Sequence, residues 1–443
     1  MHESATPAAP AGPVTGTERN TPIDMLRGVA VLGILVMNIY AFAMSFAAYS
    51  NPLVDGGTEW YNLATWAFTH VFFDLKFMTI FSMLFGAGLV MMATRADTRG
   101  TPYKGIWFRR NFWLLLIGAA HGYLLWFGDI LFHYALMGML IFWFRNRSPR
   151  ALMIIAFTLL SVGMLASFSG GTMMQQLQKA GPEVQQLKDA GEELTEEQVA
   201  ILKKSEDMSE FMKPPLEQVA EDSAAYSGNY VGIVRHRAPL VVMMQTQFTL
   251  GFVVWRIGGL MLLGMALMKL GILSGTRAPE FYRRMMLVGY GLGVPIIALG
   301  AWNLYLHEWA MIWTLKVGGI PNYVGSILVA MGHIGLVMTA ARSGAIPKLV
   351  QRFSAVGRMA FTNYLLHSII LTTVFYGYGF GLYGQIPRFW QMGFVVAVIS
   401  FQLWMSPLWL AHFRFGPAEW LWRSLTYWRW QPIRHPDNNA AAS

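Results

Sequence analysis

Apolar residues gather along this chain into ten stretches, roughly 27–47, 68–94, 108–127, 129–145, 150–170, 248–270, 285–303, 321–341, 359–377 and 390–411. Each is close to the ~20 residues a helix needs to cross the hydrocarbon core of a bilayer. The pattern predicts an all-α protein, a polytopic integral membrane bundle of about ten transmembrane helices. Basic residues fall in alternate gaps. They crowd at Arg95, Arg99, Lys104, Arg109 and Arg110, then at Arg145, Arg147 and Arg150, at Arg277, Arg283 and Arg284, and at Arg342, Lys348, Arg352 and Arg358. The intervening gaps are acidic or nearly neutral. Lys and Arg favour the cytoplasmic side of a membrane, so both termini are expected in the cytoplasm.

Composition agrees with lipid as the main solvent. The 443 residues are 55% hydrophobic and only 13% charged, where a soluble domain carries about 25% charged residues. Seventeen Trp and 17 Tyr suit interfacial belts. Cysteine is absent, which excludes disulfides and thiolate catalysis. The net charge of +9 is a topology signal and no sign of nucleic-acid binding, because the basic residues lie in short loops and residues 173–225 are strongly acidic.

The expected organisation is a disordered cytoplasmic tail (1–22), a membrane bundle of five spans (23–172), an acidic extracytoplasmic segment (173–240), a second five-span bundle (241–430) and a closing tail (431–443). The acidic segment reads as exposed helix interrupted at Gly181-Pro182 and Pro214-Pro215. Tyr230–Gln247 reads as an amphipathic helix lying on the membrane surface. Glycines inside spans, such as Gly86, Gly264 and Gly289, are expected at close helix crossings.

Candidate chemistry lies in the few polar groups inside the apolar stretches, since each is costly there. His121 sits well along the third stretch, and Asp129 follows at its outer mouth. Together they form a possible general base and its supporting carboxylate, although eight residues of straight helix would hold them about 12 Å apart. His133 lies a turn into the next stretch. Arg27, with Asp24 beside it, opens the first stretch and Asn38 lies deep within it, where an amide needs a partner. His70, Asp74 and Lys76 form a second polar group, with His70 and Asp74 four residues apart. Arg358 stands where a phosphate could be met, and Asn363 and His367 share a face beyond it. Arg27, Asn38, Asp74, Lys76, Arg358 and Asn363 are therefore the candidate substrate-binding residues. No HExxH or comparable cluster suggests a metal. No bound cofactor is expected.

Five segments together resemble the YeiB-like bacterial inner-membrane proteins, a family of unknown function: Asp24–Asn38, Lys76–Gly88, His121–Leu131, Gly357–Leu365 and Gly416–Trp422. The opening span is also similar to that of a wider group of transmembrane acyltransferases, including heparan-glucosaminide acetyltransferases and envelope sugar O-acyltransferases. That resemblance implies transfer of an acyl group from cytoplasmic acyl-CoA, as co-substrate, to a glycan, lipid or small-molecule acceptor. In the sugar O-acyltransferases a catalytic His stands where this chain has Asn38, whereas the heparan-type enzymes resemble this chain in having Asn there. His121 is then the candidate base. The alternative expectation is a transporter or exporter that uses the same His and Asp as a proton relay.

Overall fold

All ten apolar stretches fall largely on helices in the computed structural model, which describes residues 20–211 and 215–435. Among the described residues there is no strand, only an isolated bridge between Phe413 and Arg434. Among the described residues, seven helical stretches are long and apolar enough to cross a membrane: Thr21–Ala43, Trp60–Arg99 (two helices joined end to end), Pro149–Asp189, Tyr230–Lys269, Pro279–Leu306, Ile320–Ser343 and Arg388–His412. Leu131–Phe144 and Ala360–Phe375 are apolar but shorter. The helix Lys104–Leu124 has the length but carries Lys104, Arg109 and Arg110 at its start.

Local chemistry sets many of the helix ends. Asn20 accepts the Ile23 N–H at 3.1 Å and Pro22 follows it, which starts the first helix. Ser148 accepts from Ala151 N, and Asn229 from Gly232 N, ahead of two further helices. Gly100 and Gly344, both left-handed, end Lys76–Arg99 and Ile320–Ser343.

Three expectations are corrected. Pro182 does not break a helix, because Pro149–Asp189 runs through it as one 41-residue helix. That helix packs back on Glu196–Phe211, with Gly181 tight against Ser205. Tertiary contact there offsets the lost hydrogen bond. Tyr230–Gln247 is not a separate surface helix. It continues directly into the following span, and Arg237, almost wholly buried, donates to the carbonyls of Tyr123 and Leu125. Those carbonyls end Lys104–Leu124 and have no partner in their own helix. The second apolar stretch is not one straight helix either: it breaks at Phe73–Leu75, where Leu75 adopts φ +65°. A left-handed leucine is strained and must be held by its surroundings.

The boundaries drawn at 172 and 240 thus fall inside continuous helices. Nor do the two sets of spans form separate cores: one buried cluster joins Leu26, Ile80 and Leu152 to Leu260, Ile334 and Met338. Glycines permit the tightest crossings. A Cβ on Gly86 would overlap the Met261 carbonyl, and one on Gly264 would overlap that of Met83. Residues 1–19 of the expected N-terminal tail, Pro214 of the second expected break and residues 436–443 of the closing tail lie outside the described residues.

The outward helix faces are strongly apolar, with Leu165, Leu287, Leu299, Trp302, Trp390, Val396 and Trp404 exposed. Such faces suit contact with lipid, and the protein is a multi-helix membrane protein.

Candidate functional site

His121 closes the last turn of Lys104–Leu124, where its carbonyl accepts the Leu125 and Trp126 amides. The chain then reverses through Gly128-Asp129 into Leu131–Ile141. This reversal brings Asp129 back alongside His121, at 2.8 Å from Oδ2 to Nδ1. The other carboxylate oxygen, Oδ1, accepts the Phe132 amide at 2.8 Å and so starts the next helix. Gly118 has no side chain to obstruct the approach, since a Cβ there would crowd Asp129 Oδ1 and Phe132 N.

With Asp129 ionised, Nδ1 of His121 carries the proton and Nε2 is left as an acceptor. Ser368 Oγ, on Ala360–Phe375, lies 2.8 Å from Nε2 and in that tautomer is the donor. All three side chains are buried: His121 is 3% exposed, Asp129 6% and Ser368 1%. Sequence reading missed Ser368. A single serine in an apolar span is unremarkable, and its one signal was its place one turn beyond Tyr364 in the segment that carries Asn363 and His367. His133 faces two carbonyls, those of Asp129 and Met244, and is pinned between elements.

Beside this group lies a cavity of about 340 Å³. It extends along the first helix from Asn20 to Ile34, about 21 Å at 1.5 Å per residue. One end is basic, lined by Arg27, Arg95, Arg99, Arg110, Arg358, Arg414 and Arg423, with Asp24 and Glu419 among them. The other end is apolar, lined by Ile34, Phe81, Leu84, Phe85 and Leu114, and it closes on Ile130, Tyr134 and Tyr364. The Tyr364 ring lies 5.4 Å from that of His121.

The basic end is built by one helix crossing. Gly28 and Gly357 meet there backbone to backbone, and a Cβ on Gly357 would overlap the Asp24 carbonyl. Their neighbours Arg27 and Arg358 are thereby brought to the same rim. Arg27 also pairs with Asp24 at 3.0 Å. Glu419, on the short helix Pro417–Tyr427, accepts the Phe361 and Thr362 amides at 2.7 and 3.2 Å and the Thr362 hydroxyl at 2.5 Å. Burial pushes its carboxyl above the usual carboxylate range, against the pull of those hydrogen bonds. The Arg110 guanidinium stacks on Trp422 at 4.2 Å.

A second, smaller cavity of about 90 Å³ lies beyond Ile34, Ile130 and Tyr364, which line both. Asn38 opens onto this one, with Met37, Tyr49, Phe73 and Met78. Its amide has no hydrogen-bond partner among the described residues.

The remaining candidates lie apart. Lys76 is fully buried, donating to the His70 carbonyl at 2.5 Å and to Asn322 Oδ1 at 2.6 Å. Asn322 donates to Asp74 at 2.7 Å, and His70 lies 3.1 Å from the same carboxylate. Arg256 adds a nearby charge that bonds Tyr323 and Ser326. This network ties the break after Phe72 to Ile320–Ser343, and neither Asp74 nor Lys76 lines either of the two cavities described above. Asn363 is likewise enclosed, bonded to Val356 and Ser406, while His367 meets Gln402. Among the described residues no group of three or more His, Asp or Glu side chains is placed to hold a metal ion.

The family model for a protein of unknown function, DUF418, matches residues 267–429, a stretch that includes Arg358, Ser368 and Glu419. Similar proteins extend over nearly the full chain. The Escherichia coli (strain K12) uncharacterized protein YeiB is 33% identical over 414 residues, covering 92% of this chain and 96% of that one. The Bacillus subtilis (strain 168) uncharacterized protein YxaH is 33% identical over 430 residues, with 95% and 97% covered. An uncharacterized 39.9 kDa protein from Bacillus acidopullulyticus is 24% identical over 423 residues, with 95% and 97% covered. No solved structure matches the chain.

Proposed function

The chain belongs to the YeiB-like DUF418 family, and we propose that this member is an acyltransferase of the bacterial inner membrane. It takes an acyl group from cytoplasmic acyl-CoA and delivers it to a glycan, lipid or small-molecule acceptor of the envelope. In this reading ten helices cross the bilayer with both termini in the cytoplasm, which the alternation of arginine-rich loops supports.

The observation that carries the reading is the large cavity, basic at one end and apolar at the other, closing on Tyr364 beside His121. The phosphates of coenzyme A suit planar guanidinium groups, which bind them bidentately. The acyl arm suits the apolar length beyond. His121 serves as the base, Asp129 holds its ring and charge, and Asn38 faces the acceptor across the Tyr364 wall. Asp74, Lys76 and Asn363 stabilise the scaffold and do not touch the donor. No resident cofactor is needed, and acyl-CoA is a co-substrate.

Calorimetry with detergent-purified protein tests this directly. Micromolar binding of acyl-CoA, weakened in Arg27→Ala and Arg358→Ala, is expected. Absence of binding by short- and long-chain acyl-CoA alike would overturn it.

One observation favours a second reading. Ile34, Ile130 and Tyr364 line both cavities, an arrangement that a transporter with a His121–Asp129 proton relay would also use. Solute accumulation driven by a pH gradient, and lost in Asp129→Asn, distinguishes it.

A further inference from the structure

The base of the proposed reaction lines neither of the two cavities. Nε2 of His121, its one free acceptor once Nδ1 donates to Asp129, is occupied by the Ser368 hydroxyl at 2.8 Å. Tyr364 lines both cavities, so a hydroxyl entering from either one meets Tyr364 before the imidazole lone pair.

Ser368 is also not behaving as a serine in a helix usually does. Its neighbours Thr372 and Thr373 return their hydroxyls to the Ile369 carbonyl, satisfying themselves within the helix. Ser368 instead sends its hydroxyl across to another helix and into a His–carboxylate pair. The resulting series, Ser Oγ to His Nε2 at 2.8 Å and His Nδ1 to Asp Oδ2 at 2.8 Å, is the constellation that activates a serine nucleophile on several unrelated folds. Such a constellation is recognised by geometry and role, not by chain order.

We propose that Ser368 is the nucleophile that carries the acyl group, so that transfer passes through an acyl-serine ester. The proposal rests on the acyltransferase reading above. In the first half-reaction Ser368 Oγ attacks the thioester carbonyl and His121 Nε2 takes the serine proton. The C–S bond then breaks, and the departing coenzyme A thiolate takes that proton from His121. In the second half-reaction the acceptor hydroxyl attacks the ester and gives its proton to His121. His121 returns it to Ser368 Oγ as the C–O bond breaks. No oxidant or further reactant is required.

Tyr364 is the door. It stands one helical turn before Ser368, so the two share a face of Ala360–Phe375. It lines both cavities, and its hydroxyl is held only by long hydrogen bonds, 3.3 Å from the Ile130 amide and 3.4 Å to the Gly128 carbonyl. Rotation of the phenol away from the Gly128–Ile130 turn opens the donor cavity toward Ser368. It also frees the Ile130 N–H to meet the carbonyl oxygen of the bound thioester.

The test uses the full chain in detergent with acetyl-CoA and palmitoyl-CoA and no acceptor. The expected result is a burst of free thiol, close to one per protein, with an acyl mass adduct mapped to the peptide containing Ser368. Ser368→Ala is expected to keep donor binding by calorimetry and to lose acyl release by more than about 1000-fold. Ser368→Cys controls for folding and is expected to form an adduct cleaved by hydroxylamine. Donor binding with transfer at the same rate in Ser368→Ala, or an adduct mapped to another residue, overturns the nucleophile and leaves the acyltransferase reading intact. Absence of donor binding and of thiol release in the wild type overturns both.

Discussion

The Asp129 carboxylate lies 2.8 Å from Nδ1 of His121, although a straight helix would separate positions eight residues apart by about 12 Å. The Gly128-Asp129 reversal closes that gap. It makes one carboxylate both the orienting group for an imidazole and, through Phe132 N, the start of the next helix. Asp129→Asn keeps the shape but replaces an acceptor-only group with an amide that can present a donor to the ring. The tautomer that leaves Nε2 open to Ser368 is then no longer favoured. A fall in acyl-release rate of about 100- to 10,000-fold, with donor affinity changed less than about 3-fold, is the expected outcome by thiol release and calorimetry.

Crossing glycines build the basic end of the large cavity, the proposed donor site. Gly28→Ala or Gly357→Ala forces apart the helices that carry Arg27 and Arg358. A loss of about 2–4 kcal/mol in stability is expected, with donor affinity reduced in any fraction that still folds. Thermal unfolding in detergent, paired with calorimetry, checks both. Gly291→Ala is the control, because a Cβ there meets open space and the position does not line the large cavity.

Glu419 fastens the start of Ala360–Phe375 and shapes the basic rim. Glu419→Ala leaves two buried amides without an acceptor and is expected to cost about 2–4 kcal/mol. Its carboxyl is raised by burial, so the folded state holds a proton that the unfolded chain has already released. Stability from this group is therefore full below the ordinary carboxylate value and is lost as pH rises through the raised one. Glu419→Gln removes this dependence. The wild-type melting temperature, measured against that of Glu419→Gln, should fall across this window.

The Lys76 network should behave as structure. Lys76→Ala leaves Asp74 less compensated inside the bundle and strips a donor from Asn322, and it is expected to destabilise by about 3–5 kcal/mol. Donor affinity per folded molecule should not change. A selective loss of donor binding at full stability would move this cluster into the site.

Asn38→Leu tests the far side of the wall. The amide faces the smaller cavity without a partner, so its loss should leave stability and donor affinity within about 0.5 kcal/mol of wild type. Acyl delivery to the acceptor should slow while formation of the serine adduct persists. Chase kinetics after single-turnover loading separate the two.

Much of the scaffold was legible in the chain. Stretches such as 285–303 and 321–341 appear as helices because in lipid every backbone polar group must be satisfied internally, which leaves a long apolar run little alternative. Arg27 and Arg358 stood out singly as candidate binding residues, since a basic residue at the edge of a span is conspicuous, but only the Gly28–Gly357 crossing brings them to one rim. Pro182 and the 230–247 segment were misread for one reason. Their conformations are set with partners far away in sequence: Ser205 against the unbroken helix at Gly181, and the Tyr123 and Leu125 carbonyls for Arg237. Asp74 and Lys76 looked like site residues because buried charge is costly, but cost alone does not say whether a ligand or a neighbouring asparagine compensates it.

Hydrophobic patterning by itself determined that this chain is helical, membrane-embedded and polar at few internal points. Those properties follow from the balance between apolar burial and backbone hydrogen bonding, which is read residue by residue. Tertiary structure alone decided which polar points meet. Ser368 reaches His121 across 247 positions of sequence, and Gly357 reaches Gly28 across a still longer interval. Contacts of that kind depend on how helices cross and how close their small residues let them come, and no local period records that distance.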